Sequence, residues 1–223
     1  MKTTSELIQR SILIPPAGLQ GELVIPEKAT AVIAFAHGSG SSRHSPRNQY
    51  VARVLQQGGL ATLLFDLLTA EEERIDIQTA DLRFDIALLA RRLAEATAWL
   101  KKDKDTRDLL VGYFGASTGA AAALVAAAQR PKDVFAVVSR GGRPDLAGSS
   151  LPLVKASTLL IVGGEDTPVI DMNQDAFEQL SIEEKKLVIV PGATHLFEEP
   201  GTLEQVASLA RDWFQVCQAG NPG

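Results

Sequence analysis

Short β-branched apolar runs alternate with longer amphipathic stretches along the chain. Leu7–Ile14 and Gly21–Ile25 read as two strands of an entry hairpin, with Pro15, Pro16, Gly18 and Gly21 marking the turn. Further strands are expected at Ala31–Ala36, Ala61–Asp66, Asp108–Phe114, Val134–Ser139, Thr158–Val162 and Leu187–Val190. Between them fall helical patterns. Pro46–Gln57 is closed by Gly58-Gly59. Asp81–Lys102 carries Leu82, Ile86, Leu89, Leu93 and Ala96 near helical spacing. Ser117–Arg130 is rich in alanine and ends at Pro131, and Asp171–Leu180 and Thr202–Cys217 complete the set. Leu68–Thr79 contains Glu71-Glu72-Glu73 and reads as a solvated loop, and the tail Ala219–Gly223 is expected to fray.

Two leading strands followed by strand–helix alternation predict a single α/β domain over residues 1–223, with a mostly parallel sheet and helices on both faces. With 223 residues, such a domain buries roughly 70–75% of its unfolded surface and needs neither metal nor disulfide to hold it. A formal net charge of −5 argues against a nucleic-acid or anionic-membrane partner, because phosphate contacts need clustered lysine and arginine. The single cysteine, Cys217, cannot form an internal disulfide. With no apolar leader in MKTTSELIQR, a cytoplasmic protein is expected.

In a sheet of this kind chemistry gathers where the strands end. The loop after the strand at 108–114 reads Gly115-Ala116-Ser117-Thr118-Gly119, a G-x-S-x-G between a strand and a helix. That context is what a nucleophile elbow requires: a sharp turn exposing the serine hydroxyl, with small residues where side chains would collide. A serine needs a base. Of His37, His44 and His195, the last follows the final strand, in the chain order Ser, acid, His. Between them the strand at 158–162 runs into Gly163-Gly164-Glu165-Asp166. Asp166 is the candidate to orient His195, with Glu165 as its rival. Oxyanion donors are expected from the backbone N–H of Thr118 and of Ser39, or alternatively Gly40, in the loop His37–Ser42. His37 is read as fixing that loop.

The segments HGSGSS (His37–Ser42), GYFGASTG (Gly112–Gly119), GGEDTPV (Gly163–Val169) and PGATHLF (Pro191–Phe197) together make the chain resemble the dienelactone-hydrolase-like branch of the α/β-hydrolase superfamily, over nearly its whole length. The resemblance implies an eight-stranded, mostly parallel sheet and cofactor-free hydrolysis of an ester or lactone. One position departs from it: dienelactone hydrolases proper use a cysteine nucleophile, and Ser117 stands there. No long insertion separates the sixth strand from the acid strand, so little or no lid is expected.

Arg43, Arg47, Arg140 and Arg143, with His44, cluster in loops at the active edge. They suggest a substrate bearing a carboxylate or phosphate, since a guanidinium binds such groups in bidentate fashion. Pairing with local acids such as Asp145 is the other reading. No metal motif, P-loop or dinucleotide fingerprint is present. The leading expectation is acyl transfer to water through Ser117, His195 and Asp166. A non-catalytic protein that keeps the fold to bind a ligand or partner is the alternative.

Overall fold

The computed structural model describes residues 7–220. Residues 1–6, which open the segment read for a leader, and 221–223, at the end of the expected tail, lie outside it. Eight strands form one sheet: β1 (Ile8–Ile14), β2 (Leu19–Ile25), β3 (Ala31–Ala36), β4 (Ala61–Phe65), β5 (Leu110–Ala116), β6 (Val134–Arg140), β7 (Ser157–Gly163) and β8 (Lys185–Val190). Their order is β1-β2-β4-β3-β5-β6-β7-β8. The β1–β2 and β2–β4 pairs are antiparallel and every later pair is parallel. This is the α/β-hydrolase fold that the strand–helix alternation and the resemblance predicted.

The helices are α1 (Pro46–Gln57), α2 (Ala70–Thr79), α3 (Ile86–Leu100), α4 (Thr118–Gln129), α5 (Thr167–Gln179) and α6 (Thr202–Ala219). The sheet separates two apolar layers. Val32 and Ala34 of β3 pack with Leu89 and Leu93 of α3 and the alanines of α4. Ile33 and Phe35 face the other way, toward Val51 and Leu55 of α1 and Val206 and Phe214 of α6. Both faces of the central strands are therefore buried, which is why they read as continuous apolar runs without alternation. The alanines of α4 let its backbone lie close against the sheet. No helix among the described residues is long and apolar enough to cross a membrane.

Several elements differ from the sequence reading. The expected loop at 68–79 holds helix α2. Thr69 caps it by accepting from Glu72 N, and the Glu72 side chain accepts from Thr69 N in return. Glu71, Glu72 and Glu73 thus lie in the first turn, where negative charge complements the helix dipole. The single helix expected at 81–102 is broken: residues 82–84 form one 3-10 turn, and Asp85 starts α3 afresh by accepting from Leu88 N. Helix α5 begins four residues earlier than expected, with Pro168 in its first turn. Strand β8 is longer than its apolar core because Lys185, at its start, reaches back to donate to Phe177 O and Leu180 O at 2.7 Å each, closing the end of α5. Between β6 and β7 a short 3-10 segment (Pro144–Leu153) stands where a lid would be inserted.

Candidate active site

Strand β5 delivers Ser117 to a turn so tight that its backbone is left-handed, φ 51° and ψ −121°. Such a conformation is costly for a residue with a side chain and persists only where its surroundings impose it. Here they do. Ser117 N donates to Arg140 O (3.3 Å), and Ser117 O accepts from Arg143 N and Ala120 N (3.1 Å each). The flanking glycines are forced by space. A Cβ on Gly119 would lie 2.1 Å from Ala36 O, and one on Gly115 would lie 2.5 Å from Ala120 Cα. The G-x-S-x-G spacing is thus the only way the strand, the turn and α4 can approach this closely.

Strands β7 and β8 bring the other two candidates together. His195 Nδ1 lies 2.6 Å from Asp166 Oδ2, with the carboxylate mostly buried and the ring about a third exposed. Glu165 points to solvent and spends its backbone N–H on Ala193 O, so Asp166 is the acid that meets the imidazole. Among the described residues Asp166 is the sole hydrogen-bond partner of the His195 ring, which leaves Nε2 unengaged and Ser117 Oγ unbonded. Contacts of this kind tighten when substrate arrives. Two further groups hold the His195 segment in place. Gly141 packs against it, and a Cβ there would lie 2.9 Å from His195 O. Glu199 accepts from Thr194 N (3.0 Å) and Thr194 Oγ1 (2.7 Å), and those bonds hold its carboxyl below the usual range. The sequence reading did not single out Glu199; its only signal was an acid four residues after the histidine.

The loop after β3 carries one of the two expected oxyanion donors, Ser39, and the other, Thr118, opens α4. Leu67 N donates to His37 Nε2 (3.1 Å), which fixes the tautomer, so Nδ1 carries the proton toward Gly38 O (3.0 Å). Ser41 N also donates to Gly38 O (3.2 Å). The planar peptide sets the Ser39 N–H opposite that pinned carbonyl. Neither Ser39 N nor Thr118 N donates to another described residue. Gly38 crosses close beneath: a Cβ on it would meet Ser117 Cβ at 3.0 Å. His37 is the brace that the sequence suggested. Desolvation of its ring lowers its pKa, with the Gly38 bond and the charges of Asp66 and Glu73 opposing. Beside this loop, between β4 and α2, is a cavity of about 430 Å³ whose lining includes Ser39, Leu67, Leu68, Asp76, Ile77 and Leu89.

The basic cluster is largely neutralised. Arg43 pairs with Asp66 through its guanidinium and backbone N, and also reaches Gln20. Arg143 makes two parallel bonds to Asp145 (2.9 and 2.8 Å), and Arg47 pairs with Glu198 (3.0 Å). His44 is exposed. For Arg43 and Arg143 the local-acid reading is therefore the observed one. Arg140 is different and is treated below. Among the described residues no group of three His, Cys, Asp or Glu is placed to hold a metal ion.

A family model described as the dienelactone hydrolase family matches residues 19–218. The chain belongs to the dienelactone hydrolase family. A dienelactone hydrolase from Anabaena variabilis ATCC 29413 is 64% identical, covering 96% of this chain and 99% of that one, with a TM-score of 0.92. A Xanthomonas campestris protein described as an α/β serine hydrolase without a lid shares the fold at 21% identity and a TM-score of 0.72, over 99% of this chain and 98% of that one. Mycobacterium tuberculosis (strain ATCC 25618 / H37Rv) has a protein provisionally named a phosphoribosyl transferase. It is 60% identical over 215 residues, which are 95% of this family member and 47% of that protein. The chain thus spans about half the length of the curated relatives it matches.

Proposed function

We propose that this dienelactone hydrolase family member is a serine hydrolase that cleaves a small ester, lactone or related acyl bond through an acyl-enzyme on Ser117. The observation that carries the reading is Ser117 itself, held with φ 51° at the mouth of β5 by backbone bonds to Arg140, Arg143 and Ala120. Asp166 holds His195 with Nδ1 protonated, so Nε2 is the basic nitrogen available to Ser117. His195 takes the Ser117 proton as Oγ bonds to the substrate carbonyl carbon. The carbonyl oxygen becomes an oxyanion facing the N–H groups of Ser39 and Thr118. The tetrahedral species collapses, the acyl–oxygen bond to the leaving group breaks, and His195 passes its proton to the leaving alcohol. Water, deprotonated by His195, then attacks the acyl carbon, the acyl–Oγ bond breaks as His195 returns the proton to Ser117 Oγ, and the acid is released. Every proton and electron pair is accounted for without a cofactor.

Phosphoribosyl transfer does not come over to this chain, since the proteins so named extend over about twice its length. The test is hydrolysis of p-nitrophenyl esters of increasing acyl length, wild type beside Ser117→Ala, with fluorophosphonate labelling in parallel. Turnover and Ser117 labelling in the wild type, with a loss of kcat of ~10⁴-fold or more in the variant, uphold the reading. A folded wild type that neither labels nor turns over any ester would return the chain to the class of binding proteins.

A further inference from the structure

Arg140 ends β6, in register with Ala116 immediately before the candidate nucleophile, and its carbonyl accepts from Ser117 N. Its side chain is 7% exposed. No hydrogen bond or ion pair joins its guanidinium to any described residue. Nε is sealed without a partner, while the Nη fork keeps the small remaining access to solvent. Phe197, two residues after His195, presents its ring 6.0 Å from Cζ. Burial, and after it the like charge of Arg47, lowers the Arg140 pKa to about 10. The group stays charged at neutral pH, so the fold holds a desolvated cation with no counter-ion, an arrangement that opposes folding. The same loops supply carboxylates for Arg43, Arg47 and Arg143. The gap at Arg140 is therefore local: of the two arginines whose backbones bond Ser117, Arg143 has its carboxylate and Arg140 has none among the described residues.

We propose that Arg140 is the seat for an anionic group, a carboxylate or a phosphate, carried by the substrate of the Ser117 site. The inference rests on that site being the reaction centre and names the class of molecule it takes. The fork supplies two parallel N–H donors, matched to a pair of oxygens on either anion. Arg140 lies on the β6 side of Ser117 and the 430 Å³ cavity on the β4 side, so the charged end of the substrate is separated from that cavity.

The experiment is thermal unfolding of wild type and Arg140→Met, each in the Ser117→Ala background, in sodium phosphate, sodium succinate and sodium chloride at matched ionic strength. Because no turnover is involved, the result stands whether or not the protein hydrolyses esters. A midpoint raised over chloride in the Arg140 protein and not in Arg140→Met supports the seat, and the anion with the larger shift names the group. The methionine variant in chloride should unfold no earlier than its parent, since it loses an uncompensated buried charge; a supporting salt bridge would give the opposite. No shift over chloride, or the same shift without Arg140, overturns the proposal. If Arg140→Met does not fold, Arg140→Lys keeps the charge but loses the fork and must weaken the shift. In active protein, the ratio of kcat/KM for mono-p-nitrophenyl glutarate over p-nitrophenyl butyrate should fall at least tenfold in Arg140→Met. An unchanged ratio places the anion off the substrate path and overturns the assignment.

Discussion

Asp166 occupies the N-cap position of α5 yet turns its carboxylate away from the helix, to within 2.6 Å of His195 Nδ1. Aspartate is among the best N-cap residues, and a capping bond contributes about 1 kcal/mol. Here no side-chain cap forms. The helix forgoes that stabilisation so that the imidazole is held, which is what a site would require and a plain βα turn would not. Asp166→Asn should lower kcat by ~10⁴-fold by favouring the wrong tautomer, with the unfolding midpoint nearly unchanged because the Asp166 side chain makes no capping bond that could be lost. Glu165→Gln should leave kcat within about twofold, as expected of a solvated neighbour. Steady-state kinetics and thermal melts on both variants check the contrast.

The closeness of α4 to β3 gives a second expectation. Gly119→Ala must displace backbone, because its Cβ would stand 2.1 Å from Ala36 O. A loss of about 3 kcal/mol or more is expected from such overpacking, read from denaturant midpoints. Gly220→Ala is the control, since its nearest neighbour would be at 3.8 Å, and a change within about 0.5 kcal/mol is expected there.

His37 gives the molecule a pH dependence whose sign follows from its lowered pKa. The unfolded chain binds the imidazole proton near 6.5, whereas in the folded loop burial of the ring disfavours it, and Nε2 is already accepting from Leu67 N. Stability from this residue is complete above the unfolded value and is lost as pH falls below it toward the folded value. Melts of wild type and His37→Gln between about pH 5 and 8 should show a steeper acid-side decline in the wild type. Parallel curves would mean that folding does not change the affinity of the His37 ring for its proton.

Helix α2 should be separable from the rest of the fold. Its capping box is local, and its buried residue is Asp76, held by Arg83. Thr69→Ala should cost about 1 kcal/mol of local stability. Hydrogen exchange over residues 70–79 should accelerate, while the sheet amides stay protected.

The sheet was legible because its central strands are buried on both faces, and runs such as Ala31–Ala36 admit no other reading. The elbow was legible because Gly115 and Gly119 are steric necessities. Asp166 over Glu165 was an open choice that the chain alone could only lean toward; the decision lies in which carboxylate reaches β8, a long-range fact. Helix α2 was missed because Glu71–Glu73 looked like a solvated run, although Thr69 and Glu72 already spelled a capping box. The four arginines looked equivalent in sequence. They differ only in which of them meets a carboxylate, and for Arg43 that partner is Asp66, twenty-three residues away at the end of β4.

The cavity wall contributed by α2 and the 3-10 turn is a single continuous stretch, residues 68–85, fastened mainly by the Thr69–Glu72 box and by the pairs of Arg83 with Asp76 and Arg92 with Glu72. Ser117, Asp166 and His195 all lie on later strand ends. The cavity wall and the candidate triad are thus encoded in different stretches of the chain. A lineage could exchange one short cassette after β4 and acquire a new substrate range without re-evolving its chemistry, and a protein engineer could do the same.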